Sequence, residues 1–300
     1  MKTFADKRTT FNKLLTAPEI LSMAVAPDAL AARVAESVGF KAVFCAGYAT
    51  SASTLALPDR GILDFGQMLH KLREIVAAVS VPVFADADTG YGDTENVART
   101  VRSFEAAGAA GLFIEDQVWP KRCGHMAGKS VVPAEELAAK IQAAVAARKH
   151  QDFLIMSRTD ARQVNGLQDA LDRSKLYRQA GADIVFVEAP QSVDELRTIA
   201  QTFPETPLMS NMIEDGDTPL LTAKQLQDIG FSFTVHPNAL TYAHAYADRE
   251  LLSELATTGK TAKSRAHMIA FNDFNHFVGL EKLNALEAEY APEKMTSFIE

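Results

Sequence analysis

Cysteine, tryptophan and positive charge are all scarce in this 300-residue chain, which has two Cys, one Trp and a formal net charge of −8. Two thiols, Cys45 and Cys123, in a chain without an export signal predict no structural disulfide and a reducing, cytoplasmic setting. The opening Met1-Lys2-Thr3-Phe4-Ala5-Asp6-Lys7-Arg8 lacks the apolar centre of a signal peptide. No run reaches the roughly 20 apolar residues of a membrane span. The acidic balance, without a basic stripe, argues against nucleic acid or an anionic membrane as partner. Nucleotide and serine-hydrolase chemistry have no support, because G-x-x-x-x-G-K-[ST], a strand-following G-x-G-x-x-G, G-x-S-x-G and H-E-x-x-H are all missing. No Cys/His cluster has zinc spacing. What is present, 47% hydrophobic and 23% charged residues, is the make-up of an ordinary globular enzyme or binding protein.

The apolar residues are organised. Eight short runs, Ile20–Val25, Ala42–Ala46, Val81–Ala85, Gly111–Ile114, Phe153–Ser157, Ile184–Val187, Pro207–Ser210 and Phe233–Val235, are apolar throughout rather than alternating. That is expected of strands covered on both faces in a parallel sheet. Helix-period stretches such as Ala134–Arg148, Gly166–Ala180 and Val193–Thr202 lie between them. Gly39, Gly108, Gly181 and Gly230 stand where a helix should stop. Eight strand–helix units without a flexible linker predict a single (β/α)8 TIM-type barrel, with an open doubly wound sheet as the competing arrangement. Residues 241–300 read as a helical extension with two helices, Thr241–Thr257 and Ala262–Tyr290. The second is too apolar for an exposed face, so it is expected to pack on another helix, another subunit or its own barrel.

Polar residues gather where the runs end. They are Asp86-Ala87-Asp88, Glu115-Asp116, Arg158-Thr159-Asp160, Glu188, Asn211 and His236, with Pro58-Asp59-Arg60 on the loop after the second run. A barrel of this type carries its active site at those strand ends. Any one such residue could be a solvated strand end. Several carboxylates at one mouth, however, need a cation or an arginine to balance them. Asp86-x-Asp88, followed by Thr89-Gly90-Tyr91-Gly92, suits Mg2+ chemistry, although D-x-D alone fits a solvated turn equally well.

Just beyond the fourth run stands Lys121-Arg122-Cys123-Gly124-His125. A thiol among three cationic or potentially cationic side chains is expected to be poised towards thiolate. The bland alternative is a basic loop with an incidental cysteine.

These motifs resemble the isocitrate lyase / phosphoenolpyruvate mutase superfamily, and the Lys-Arg-Cys-Gly-His run is similar to that of its lyase branch. Leu57-Pro58-Asp59, Ile114-Glu115-Asp116-Gln117, Arg158-Thr159-Asp160-Ala161 and Glu188-Ala189 support the resemblance, which spans nearly the whole chain. It implies a barrel whose eighth helix is exchanged between subunits of a homodimer or homotetramer. It implies a Mg2+ site, Mn2+ being the alternative, with Asp86 and Asp88 nearest the metal and Glu115 and Asp59 acting through water. Cys123, Lys121, Arg122, His125, Glu115 and Arg158 are the implied catalytic set, with Cys123 the general acid, a role that a thiol can fill only if it starts protonated. Ala46, Gly47, Tyr48, Asp59, Gly124, Arg158, Glu188, Asn211 and His236 would line a site for a small carboxylate, under a Cys-bearing loop that closes as a gate. The implied reaction is Mg-dependent carbon–carbon cleavage of a 2-hydroxy di- or tricarboxylate, of the 2,3-dimethylmalate or 2-methylisocitrate type, to a 2-oxo acid and a carboxylic acid. Oxaloacetate decarboxylation or hydrolysis on the same scaffold, and a non-catalytic dicarboxylate-binding barrel, are the alternatives. Two departures from the lyase pattern bear on substrate. Ala46-Gly47-Tyr48 replaces a small polar run, so a carboxylate there must be met by backbone N–H groups. Met126-Ala127-Gly128 lacks the cation that methylisocitrate lyases carry, which favours a smaller dicarboxylate.

Overall fold

The computed structural model describes residues 3–291, and its contacts divide the chain between Ala243 and His244. The first unit is built in strict alternation. Its elements are α1 (Phe4–Leu15), β1 (Leu21–Val25), α2 (Ala29–Ser37), β2 (Val43–Cys45), α3 (Gly47–Leu55), α4 (Phe65–Ala78), β3 (Val83–Asp86), α5 (Thr94–Ala106) and β4 (Gly111–Glu115). They continue with α6 (Ala134–Ala147), β5 (Leu154–Thr159), α7 (Ala161–Asn165), α8 (Leu167–Gln179), β6 (Ile184–Val187), α9 (Val193–Thr202), β7 (Met209–Asn211), α10 (Ala223–Ile229) and β8 (Phe233–Val235). All eight expected strands are present, each within two residues of its expected bounds. They pair in parallel in the order β6-β5-β4-β3-β2-β1-β8-β7, and a parallel bridge between Val185 and Leu208 brings the two ends together. The ring therefore closes, and the open doubly wound sheet is excluded. Gly39, Gly108, Gly181 and Gly230 end their helices at φ of 101°, 93°, 107° and 118°, the left-handed region that glycine enters without a Cβ penalty.

Continuous apolar strands bury both faces, and the period of two decides which residue goes where. Val43, Cys45, Val83, Ala85, Leu112, Ile114 and Ile155 point outward into the layer shared with the helices. Phe44, Phe84, Phe113, Met156, Phe186, Met209 and Phe233 point inward and fill the barrel. Two residues beyond each inward apolar side chain, in the same phase, stand Ala46, Asp86, Glu115, Arg158, Glu188, Asn211 and Val235. The strand pleat thus delivers a polar ring to the carboxyl end and a greasy plug beneath it.

The other end is closed by α1, an element the sequence reading does not place. Thr3 and Asp6 form a reciprocal capping box at its start. Its Phe11 is fully buried, with its ring centroid 5.3 Å from Phe84 and 6.4 Å from Phe233. Those rings sit at the amino-terminal halves of β3 and β8, so Phe11 stoppers the barrel floor.

The helix after β8, α11 (Ala239–Thr258), crosses the boundary between the units. Within the second unit, the long helix expected over 262–290 is broken into a 3-10 turn (Ser264–His267), α12 (Phe271–Val278) and α13 (Leu280–Glu289). The breaks fall at Ala270, whose ψ of 151° is extended, and at Gly279, whose φ of 92° is left-handed. Its apolar residues are outward in the single chain, Phe271 being 81% and Leu283 64% exposed. No helix among the described residues is long and apolar enough to cross a membrane.

Candidate active site

The cavity at the carboxyl end is lined by Ala46, Tyr48, Asp59, Asp86, Cys123, Gly124, Arg158, Glu188, Asn211 and Asn238 above a floor of Phe44, Phe113, Phe186, Met209 and Val235. Most of the expected site residues therefore converge on one rim. Asp88, Glu115 and Lys121 lie just behind the lining. The space left is about 40 Å³. That holds roughly three waters, too little for a substituted malate, so the wall must open for substrate to enter.

One side of the rim is acidic. Asp86 Oδ2 accepts from Gly47 N–H at 2.8 Å and its Oδ1 accepts from Asp88 N–H at 2.9 Å. Asp88 does not project from the strand, as its i, i+2 spacing suggested. The strand ends at Asp86, and Asp88 turns inward through a positive φ of 47°. The N–H of Gly47 is thereby spent on Asp86. A substrate carboxylate at the start of α3 is left with the next orphan N–H groups of the helix, those of Tyr48 and Ala49.

Lys121 Nζ donates to Asp59 Oδ2 at 2.7 Å and lies 2.6 Å from Asp88 Oδ1. One ammonium thus faces four carboxylates, Asp59, Asp86, Asp88 and Glu115. Burial favours its neutral form, but Asp88, Asp59, Glu115 and Asp86 outweigh that and hold it charged. Burial pushes the Asp88 carboxyl up to about 7 against the pull of Lys121, with Asp86 and Asp59 adding to the rise. Burial likewise holds Glu115 well above the usual carboxylate range, opposed by Arg158 and Lys121.

Asp88 Oδ1 and both Glu115 oxygens are buried without a hydrogen bond, although cations lie at ion-pair distance. Acid in excess of base, with orphaned carboxylate oxygens, is a donor set a hard divalent cation would complete. No three acidic, His or Cys side chains among the described residues already form a metal cage. Mg2+ does not require one, since it keeps several waters and takes one or two carboxylates. The residues present fit the ion, with Asp86 at the cavity wall and Asp88, Glu115 and Asp59 around it.

The opposite side is built on Arg158. Its Nε and Nη2 grip Asp160 at 2.9 and 3.1 Å, and Nη2 also reaches Glu188 Oε2 at 3.2 Å. Asn211 Nδ2 donates to Glu188 Oε2 at 3.0 Å. Asp160 is anchored from behind, where Asp116 accepts from Asp160 N–H, Thr159 Oγ1 and Tyr177 OH.

The loop carrying Cys123 joins β4 to α6 and is stapled at its stem by an antiparallel bridge between Gln117 and Val131. It is fastened to both sides of the mouth. Cys123 N–H donates to Asp59 O at 3.1 Å, and Lys121 enters the acidic cluster. His125 Nδ1 accepts from Asp217 N–H at 3.0 Å, which makes Nε2 the protonated nitrogen in a neutral ring, 3.2 Å from Glu188 Oε1. Gly124 passes so close that a Cβ there would lie 2.5 Å from Glu188.

Of the two expectations for this thiol, poised towards thiolate by its neighbours in the chain or protonated as a general acid, the environment favours the second. Burial pushes the Cys123 thiol up to about 11, and Asp59 and Glu188 add to the rise, against the His125 N–H and Arg158. Cys123 is a proton-bearing thiol at neutral pH.

Gly47 and His125, like Asp88, Glu115 and Lys121, are absent from the lining, and Arg122 and His236 are turned away from the cavity altogether. The Arg122 guanidinium donates to Ala127 O at 2.7 Å and braces the loop from outside. His236 is 49% exposed and pairs with Glu214 at 3.0 Å. Val235 points inward, so the next side chain leaves the barrel. Asn238, Tyr242 and Lys129 were not foreseen. Asn238 Nδ2 and the Tyr242 and Tyr48 hydroxyls form a chain with 3.1 Å links along one wall. Cys45 points outward into the helix layer, and both cysteines are free.

A phosphoenolpyruvate phosphomutase family model matches residues 11–256. The chain belongs to that family. It is 45% identical to 2,3-dimethylmalate lyase of Eubacterium barkeri over 279 residues, 91% of this chain and 96% of the relative. Among solved structures, a 2,3-dimethylmalate lyase described as a PEP mutase/isocitrate lyase superfamily member superposes with a TM-score of 0.90 at 33% identity, covering 98% of each chain. An oxaloacetate acetylhydrolase bound to 3,3-difluorooxalacetate also gives 0.90, at 31% identity over 96% of this chain and 98% of that one. A phosphonopyruvate hydrolase solved with oxalate and Mg2+ gives 0.85, at 30% identity over 95% and 99%.

Proposed function

We propose that the protein cleaves a carbon–carbon bond in a substituted 2-hydroxy dicarboxylate of the 2,3-dimethylmalate type, yielding a 2-oxo acid and a carboxylic acid. The activity class, a carbon–carbon lyase, is that of its 45%-identical relative. One observation carries the reading: a protonated thiol, Cys123, faces the same small cavity as Arg158, Glu188 and Asp86.

Mg2+ bound at the acidic side would polarise the 2-oxygen and its neighbouring carboxylate. The chain's own residues do the rest. A wall carboxylate takes the hydroxyl proton of the substrate. The C2–C3 bond breaks, C2 becomes the carbonyl of the 2-oxo acid, and the bonding electrons pass to C3 and its carboxylate. Arg158 stabilises that developing charge, a contribution typically worth ~2.7–4 kcal/mol per donor. Cys123 gives its proton to C3, a general-acid step typically worth ~10²–10⁴-fold. The resulting thiolate lies beside Arg158 and the His125 N–H and regains its proton before the next turnover.

The Tyr48–Tyr242–Asn238 wall and the neutral Met126 suit a small, partly apolar substrate better than a tricarboxylate. The outward apolar residues of the second unit support a homodimer or homotetramer. Hydrolysis of oxaloacetate is the second reading, favoured by the likeness to the acetylhydrolase; water adds to C2, the C2–C3 bond breaks to give oxalate and acetate, and the acetate carbon takes its proton from Cys123 or from water. Parallel assays of 2-oxo-acid release from 2,3-dimethylmalate and 2-methylisocitrate, and of oxalate and acetate release from oxaloacetate, separate them. Turnover of oxaloacetate alone, undiminished in Cys123→Ser, would overturn the lyase reading.

A further inference from the structure

We propose that Lys129 is the latch of the Cys123 loop and a positioning residue for Arg158, linking loop closure to the charge that Arg158 presents to the cavity. The inference rests on the lyase reading only for the step that closure serves.

Lys129 lies six residues beyond Cys123, on the returning arm of the loop, and its side chain is fully buried. A buried ammonium must be paired. Its Nζ donates to Asp160 Oδ1 at 2.8 Å and to the carbonyl of Gly124, the residue next to the thiol. One side chain thus ties the tip of the loop to the end of β5. Lys129 is absent from the cavity lining, so it cannot act on substrate directly.

Asp160 is the hinge of the argument. It is the carboxylate that grips Arg158 through two hydrogen bonds. With the loop down, Asp160 is shared by two cations, and Arg158 also spans Glu115 at 3.3 Å and Glu188 at 3.2 Å. With the loop up, Lys129, one residue above the stapled stem, leaves with the returning arm, and Asp160 can be neutralised by Arg158 alone. Closure therefore frees part of the guanidinium charge for the cavity in the same movement that brings the thiol over it. The other fastenings, Lys121 to Asp59 and His125 to Glu188, pull on the opposite arm and on the tip. Of these three fastenings, only Lys129 contacts Asp160.

The chain supplies its own reporter. Its single tryptophan, Trp119, is in this loop, 45% exposed, with its ring against Gly61 on the loop that carries Asp59. The test compares wild type with Lys129→Met, which keeps the buried length, and Lys129→Gln, which keeps a donor for the Gly124 carbonyl without the charge. Hydrogen exchange of the ligand-free proteins is read first. Amides 121–130 should exchange ~10-fold or more faster in both variants, with β1–β8 and the melting temperature little changed. A lost charge-assisted hydrogen bond corresponds to about 10–100-fold, so kcat should fall by that factor with KM within about threefold. Oxalate with Mg2+ should give a smaller Trp119 fluorescence change than in wild type at a similar midpoint. Unchanged loop exchange, or kcat within twofold of wild type, overturns the latch. Faster loop exchange in a protein that turns over no 2-hydroxy acid at all keeps the latch and sinks the lyase reading.

Discussion

Adding one methyl group at Gly124 should disable the enzyme without unfolding it. Gly124 has no left-handed φ, so an alanine backbone is unstrained there. The obstacle is Glu188. A Cβ at position 124 would stand 2.5 Å from Glu188 Cδ, Cγ and Oε2, and ordinary contact needs about 3.4 Å or more, so something must move by about 1 Å. Glu188 is poorly able to yield. Its carboxylate is held by Arg158 at 3.2 Å, His125 at 3.2 Å, Asn211 at 3.0 Å and Ala189 N–H at 3.0 Å. The loop must ride high instead, taking Cys123 with it. Overpacking of this kind costs about 1–3 kcal/mol, and a reacting group misplaced by ~1 Å loses up to ~10²-fold in rate. Gly124→Ala is therefore expected to lower kcat by ~10–100-fold in a coupled assay of 2-oxo-acid release, while far-UV circular dichroism and the melting temperature stay near wild type. Wild-type kcat in that variant would refute the closed geometry of the loop against Glu188.

Cys123→Ser should abolish carbon–carbon cleavage, since a hydroxyl at this site is a far weaker acid, while the fold and Mg2+ binding persist; calorimetric titration with Mg2+ checks the second half. The thiol gives a pH prediction with a definite sign. Its value rises from 9.0 to about 11, so the folded state holds the proton longer than the unfolded chain. Its contribution to stability is complete below pH 9 and is lost as pH rises through about 11. Iodoacetamide labelling of Cys123 should show a midpoint near 11, and a midpoint near 8 or 9 would show the thiol unburied. Stripping divalent ions with EDTA should stop turnover, and Mg2+ or Mn2+ should restore it and raise the melting temperature; full activity in excess EDTA would remove the metal from the reading. Tyr48→Phe cuts the hydroxyl chain to Tyr242 and Asn238 and should raise KM for the preferred dicarboxylate several-fold with kcat little changed, as steady-state kinetics will show.

What could be read from the residues follows from periodicity. The eight apolar runs fixed the barrel, and the polar residues at their ends fixed the active rim. Asp86, Arg158, Glu188 and Asn211 each lie two positions beyond an inward apolar side chain, so strand alternation alone turns them into the cavity, and Glu115, in the same phase, stops just behind its lining. The same phase condemns His236, one position beyond the inward Val235, and sends Cys45 to the helix layer. Had phase been imposed on every strand end, His236 would have been dropped from the sequence alone. The N-terminal plug escaped because an amphipathic first helix looks the same whether it packs on a barrel floor or lies on the surface. Only the Phe11 contacts decide between these.

The loop shows where such reasoning stops. A loop has no period, and residues adjacent in the chain need not share a field. Lys121, Arg122 and His125 flank a thiol in sequence, which predicted a depressed thiol. In space Lys121 serves Asp59 and Asp88, Arg122 caps the Ala127 carbonyl, and a neutral His125 ring meets Glu188. Almost every positive charge near Cys123 is thus already answered by an acid or a carbonyl oxygen, and burial is left to set its acidity. That is the state a carbon acid-forming step demands of its donor, because a thiol ionised in advance would have no proton to give.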